Sequence, residues 1–216
     1  MDTLMQNILF IIIALASSFA LTVVHEFGHF GIASFLDKKI HAISLGMGKV
    51  LFKFNWRDFV VEVRMFPVAG SVSFSEKYEM SPRLESMRSI LVFLAGPLVN
   101  FILGFCLLWG GMGVSRAADT QISLSSPKVV AQKYFEYVKK FYEISGENIR
   151  AVKNTLGKVN CLDSWHKIFG TNQADLRFFM LIIGFFSISL GFFNLVPLGE
   201  SDGAYILKHI FNLLKK

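Results

Sequence analysis

A chain of 216 residues that is 53% hydrophobic and only 18% charged, with mean hydropathy +0.49, has too little charge for an ordinary soluble domain and reads as an integral membrane protein. The net charge of +6 does not call for nucleic acid, because Lys and Arg are dispersed through the loops without the interleaved aromatics of a nucleic-acid platform. Cys106 falls in an apolar stretch and Cys161 in a polar one, which is no disulfide framework and leaves the redox compartment open.

Three stretches are long and apolar enough to span a bilayer: residues 4–36, 89–113 and 178–196. The first has Asp2 and no basic residue ahead of it and continues without a break into a polar motif, so it is expected to be an uncleaved anchor. It exceeds the length a bilayer needs, which predicts tilt, a kink near Gly28 or Gly31, or emergence into the interface. The motif inside it is His25-Glu26-Phe27-Gly28-His29. On a helix, residues four apart share a face, so both histidines can reach one metal ion while Glu26 lies beside it as a general base. Ionisable groups in a lipid-buried segment are costly without partners, and their presence there points to function.

After the first span, residues 49–55 and 59–65 alternate as strands around a turn at Trp56-Arg57-Asp58. Pro67 and Gly70 interrupt the run, and Val72 and Phe74 can begin a further strand or a re-entrant loop. A small sheet at the membrane surface is expected, with an edge to which an extended peptide could add. Beyond the second span, Ser126-Pro127 starts an amphipathic helix that Ser145-Gly146 is expected to stop. A second helix is expected over 147–156, ending at Gly157.

Two histidines do not complete a catalytic zinc site, which takes three protein ligands and keeps a fourth position open. With three spans, the first and third run in the same direction and end on the same side. The third is followed by Asn194-Leu195-Val196-Pro197-Leu198-Gly199-Glu200-Ser201-Asp202-Gly203. Pro197 ends the helix, the glycines permit irregular backbone, and Glu200 and Asp202 are both carboxylates within reach.

Together these segments resemble the site-2 protease family of zinc intramembrane peptidases, in its regulator-of-sigma-E-type branch. His25 to His29 is similar to the family's HExGH, and Phe66-Pro67-Val68-Ala69-Gly70-Ser71-Val72 to the PxGG turn of its membrane β-hairpin. Ala95-Gly96-Pro97-Leu98-Val99-Asn100 is similar to its AGPxxN, and Asn194 to Gly203 to its NxxPxxxxDG. The resemblance implies His25, His29 and Asp202 as zinc ligands, Glu26 as the catalytic base, and Asn194, Asn100 and Gly70 at the bound substrate. Read without the resemblance, Asn100 equally serves to bond a neighbouring helix. His41, His166 and His209 belong to no motif and are expected at surfaces or interfaces. The chain is expected to depart from the family in three places, one of them the lack of the fourth spanning helix that is common there after the DG. The segment 116–170 is too short and too helical for the usual PDZ domain, and Gly199 and Ser201 replace a proline and a leucine before the aspartate.

The expected fold is mainly α: a polytopic membrane protein with three transmembrane helices, a membrane-associated β-hairpin or small sheet, and a short helical extracytoplasmic insert. Residues 1–115 carry the first two spans and the hairpin, 116–175 the insert, and 176–216 the third span and tail. The expected activity is zinc-dependent cleavage of transmembrane segments of single-span proteins, such as an anti-sigma factor or a remnant signal peptide, in the cytoplasmic membrane. Lys215-Lys216 at the C-terminus, against no basic residue at the start, favours N-terminus out and C-terminus in. The rival reading is an inactive relative that binds metal or a client helix. A membrane-anchored soluble metalloprotease would need a sizeable polar domain around the motif, and the sequence offers none.

Overall fold

The computed structural model describes residues 3–74, 81–117, 126–154, 160–171 and 175–215. In chain order these form α1 (Thr3–Phe35), β1 (Ile40–Trp56), β2 (Phe59–Phe74), α2 (Pro82–Ala117), α3 (Pro127–Asn154), α4 (Cys161–Phe169), α5 (Leu176–Leu195) and α6 (Asp202–Leu214). Three of the helices are long and apolar enough to cross a membrane, over Asn7–Phe35, Pro82–Met112 and Leu176–Leu195, where three spans were expected. At 1.5 Å per residue, α1 with 33 residues and α2 with 36 each reach roughly 50 Å, well beyond a hydrocarbon core of about 30 Å. Both cysteines are free.

The helices and strands gather into two compact units, one of Met1–Ala14 with Leu103–Phe186 and the other of Leu15–Ile102 with Ser187–Lys216. The first is an aromatic assembly. Buried Tyr134 and Tyr137 of α3 meet Phe185 and Phe169 at 5.6 and 4.9 Å between ring centroids, and Trp165 of α4 packs on Phe10, Phe141, Phe169 and Phe185. Gly184 lets α5 close on α2, since a Cβ there would come within 2.9 Å of the Gly104 carbonyl oxygen.

Two expectations for this unit change. Gly146 lies inside α3, which runs unbroken past Ser145-Gly146 to Asn154. A glycine weakens a helix by about 1 kcal/mol without ending it, and the Asn148 amide donating to Ser164 Oγ at 3.0 Å ties the continued helix to α4. The expected stop at Gly157 lies outside the described residues. α4 was not anticipated, although its signals stand in the chain. Asn160 caps it by accepting from the Leu162 and Asp163 amides, and Gly170 closes it in the left-handed conformation.

In the second unit, β1 and β2 form an antiparallel hairpin that turns at Arg57 and Asp58, with Arg57 at φ 52°. The strands run longer than expected because they bend. β1 passes through Gly46 and Gly48, both at positive φ, and residues 42–45 consequently pair with 70–73 on one side and with 60–63 on the other. Pro67 does not end β2. Between the pairs Met47↔Phe66 and Leu45↔Gly70, β1 advances two residues and β2 four, a bulge, which is where a strand tolerates proline. Ala33, Ile40, Ile43 and Val92 make the buried contact between sheet and helices, joined by Phe30, Leu45, Phe59 and Phe74. At its edge, Lys38 Nζ donates to Glu85 at 2.8 Å and to Ser89 Oγ at 2.7 Å. α1 and α2 come into backbone contact at Gly28, where a Cβ would lie 2.7 Å from the Ala95 carbonyl oxygen.

A candidate metal centre

The second unit holds a set of buried polar side chains: His25, Glu26 and His29, exposed by 5%, 3% and 4%, with Asp202 at 9% and Asn100 at 0%. His25 and His29 stand one turn apart on α1, so both rings project from one face toward α2 and α6. Asp202 reaches them because of the turn before it. α5 ends at Leu195 beside Pro197, Gly199 takes φ 58°, and Ser201 Oγ donates to the Val196 carbonyl at 2.6 Å while accepting from the Leu198 amide. Ser201 also caps α6 by accepting from the Ala204 amide, which places Asp202 in the first helical turn. Gly203 is needed there, because any Cβ would run into the backbone of Leu195.

His25 Nε2 lies 3.0 Å from Asp202 Oδ2, His29 Nε2 lies 3.3 Å from Asp202 Oδ1, and the two Nε2 atoms are 3.1 Å apart. Donors arranged tetrahedrally at about 2.05 Å from a zinc ion stand about 3.3 Å from each other, so the set has the span that such an ion requires. Lone pairs on two imidazole nitrogens and a carboxylate converge on one point, and a cation there would satisfy all three. Room for it is kept by Gly96 of α2, where a Cβ would lie 2.5 Å from His29 Nε2 and 2.7 Å from His25 Nε2. Among the described residues this is the one cluster of three or more His, Cys, Asp or Glu side chains suited to a metal ion.

Glu26 lies beside the cluster, with Oε2 buried and unpartnered. Its carboxylate rests on Gly70 of β2, where a Cβ would come within 2.5 Å of Oε1. A cavity of about 880 Å³ opens on these groups, walled by Thr22, Ser44, Gly70, Asn194 and Tyr205 among others. Arg64 also lines it, and its charge is matched by Glu62 at 2.7 Å, whose carboxyl Arg64 and then Lys53 hold low.

The structure therefore brings His25, His29 and Asp202 together, with Glu26 alongside and Gly70 and Asn194 on the cavity wall. Glu200, the rival carboxylate, is exposed on the wall and outside the three-donor set. Asn194 Nδ2 donates to the Leu190 carbonyl of its own helix at 3.1 Å. Asn100 lies behind His25, its amide nitrogen 3.1 Å from His25 Nδ1, and is not on the cavity wall. His209 of α6 stacks on Phe93, and His166 bonds Thr171 Oγ1 at 2.8 Å. Sequence reasoning missed the backbone carbonyl of Val92, which accepts from His29 Nδ1 at 2.8 Å, and the spacing role of Gly96. No side-chain pattern marks the carbonyl; Gly96 was visible within the AGPxxN segment.

Comparison with known proteins gives the chain's family. The profile of peptidase family M50 matches residues 10–216. The regulator of sigma E protease of Haemophilus influenzae is 32% identical over 151 residues, covering 63% of this chain and 33% of that protein. A Campylobacter jejuni protein provisionally named as a zinc metalloprotease is 30% identical over 170 residues, 72% of this chain and 46% of its own length. The chloroplastic membrane metalloprotease ARASP of Arabidopsis thaliana is 28% identical over 155 residues, 66% of this chain and 34% of its own. The chain thus spans less than half the length of these curated relatives.

Proposed function

The chain belongs to peptidase family M50, and from that premise and the geometry of its buried cluster we propose that it is a zinc-dependent intramembrane endopeptidase acting on single-span membrane proteins. The observation that carries this reading is the convergence of His25, His29 and Asp202 within 3.0 to 3.3 Å of one another beside an unpartnered Glu26, among helices long and apolar enough to span a bilayer. His25 and His29 through Nε2 and Asp202 through its carboxylate would hold the ion. Bound there, zinc supplies Lewis acidity that polarises the scissile carbonyl and acidifies water.

Glu26 takes the proton as the water oxygen bonds to the carbonyl carbon. It then delivers that proton to the amide nitrogen as the C–N bond breaks. A helical transmembrane substrate hides its carbonyls in its own hydrogen bonds, so it must unwind to be cut. The segment 70–73 of β2 pairs with β1 on one side and lines the cavity, which supports the addition of an extended substrate strand along it. Gly70 keeps that approach open at Glu26, and Asn194, which also lines the cavity, would position the substrate backbone.

An anti-sigma factor or remnant signal peptide fits the substrate class. The chain would sit in the cytoplasmic membrane with its N-terminus out, its C-terminus in and its helical insert extracytoplasmic. Cleavage of a membrane-anchored reporter by wild type and by Glu26→Gln tests the activity. The carboxylate's loss is expected to lower the rate by about 10²- to 10⁴-fold, and equal product from both proteins would remove the protease reading.

A further inference from the structure

His29 shows how a histidine of this cluster is fixed. Its Nδ1 faces the Val92 carbonyl at 2.8 Å, and a carbonyl oxygen can only accept. The ring proton therefore sits on Nδ1, leaving the Nε2 lone pair aimed at the point shared with His25 and Asp202. His25 must meet the same demand, because its Nε2 lies 3.1 Å from that of His29 and 3.0 Å from Asp202. Its Nδ1 must then carry the proton and needs an acceptor.

The group that faces His25 Nδ1 is the side-chain amide of Asn100, at 3.1 Å and 0% exposed. The amide presents Nδ2 to the ring, while Oδ1 is buried with no partner. Turning the amide by half a revolution exchanges two atoms of nearly equal size and puts the oxygen on Nδ1–H. Resting on the metal-centre reading above, we propose that Asn100 is a positioning residue whose side-chain oxygen accepts the Nδ1 proton of His25 and so presents Nε2 to the metal.

The layout supports this. Val92, Gly96 and Asn100 recur every four residues along one row of α2. Val92 and Asn100 serve the outer nitrogens of His29 and His25, while Gly96 lies against both Nε2 atoms. Ser187 Oγ donates to the Asn100 backbone carbonyl at 2.8 Å, which anchors that end of the row to α5. One helix face thus orients both imidazoles and keeps space between them. In surroundings this dry, a hydrogen bond to a ligand's outer nitrogen is not replaced by water.

The test is the zinc affinity of the purified full chain in detergent, read by competition with a chromogenic chelator, for wild type, Asn100→Leu and Asn100→Asp. Leucine fills the site without an acceptor, and the affinity is expected to fall by about 10- to 100-fold. Aspartate keeps an oxygen on Nδ1 and cannot donate, so its affinity is expected to stay close to wild type. A residue that merely packs or donates between helices would give the opposite order, with a buried carboxylate tolerated worse than leucine. A leucine variant that binds zinc as wild type does, or an aspartate variant that loses tenfold or more, would overturn the proposal. The aspartate result decides alone if the leucine variant does not fold. Zinc missing from wild type would instead overturn the metal-centre reading, and this proposal with it.

Discussion

The two units of this protein are built on opposite rules. The unit of Met1–Ala14 and Leu103–Phe186 buries rings, with Tyr134, Tyr137, Trp165, Phe169, Phe178 and Phe185 in mutual contact, and Thr171 is the only described polar residue among its buried ones. The unit of Leu15–Ile102 and Ser187–Lys216 buries Thr22, His25, Glu26, His29, Ser86, Ser89, Asn100, Ser187 and Asp202. Burying polar groups costs free energy unless each finds a partner. The second unit finds those partners mainly in its own cluster; among the described side chains the exceptions are Glu26 Oε2 and Asn100 Oδ1, beside and behind the set of His25, His29 and Asp202, and Arg64 Nε on the cavity wall. The first unit is specified by shape, and the second by which polar atom meets which.

The contrast predicts that substitutions in the two units fail differently. Trp165→Ala should have the largest effect on stability. It removes a ring that is 8% exposed and packed on five others, and a loss of about 3–5 kcal/mol is expected in chemical or thermal unfolding. Zinc affinity of the protein that remains folded should hardly change; a parallel fall in affinity would show that the division of labour is wrong. Gly96→Ala should do the reverse. A methyl 2.5 Å from His29 Nε2 must displace a ligand, so zinc binding should weaken by about 10- to 100-fold, or roughly 1.4–2.7 kcal/mol, as read in a chelator competition. Unchanged affinity would mean that the ring nitrogens do not hold the ion where they lie. Asn160→Ala removes the cap of α4 and should cost about 1 kcal/mol in melting, with reporter cleavage retained. A variant melting like wild type would show that α4 does not depend on its cap.

What was legible in the chain follows the same contrast. The three spans, the turn at Arg57 and Asp58, the HExGH helix and the Pro197-to-Gly203 turn each follow from residues close in sequence, and each is present. The strand over 40–47 was not foreseen; it passes through Gly46 and Gly48, and pairing on both sides of residues 42–45 holds it in the sheet. Gly146 read as a stop, yet contacts farther along α3 carry the helix through it. Asn100 carried two readings, substrate and helix bond, since a position seventy-five residues from His25 reveals its partner only when α1 and α2 are packed. Asn160 and Gly170 stand in the chain as a cap and a stop, but no helix was expected between them.

Metal analysis of the purified chain beside Asp202→Ala tests the central claim most directly. Roughly one zinc per wild-type chain is expected, with its loss, or dissociation on dilution, in the variant, because two imidazoles alone do not complete the donor set. Equal zinc content and equal retention in the two proteins would contradict it.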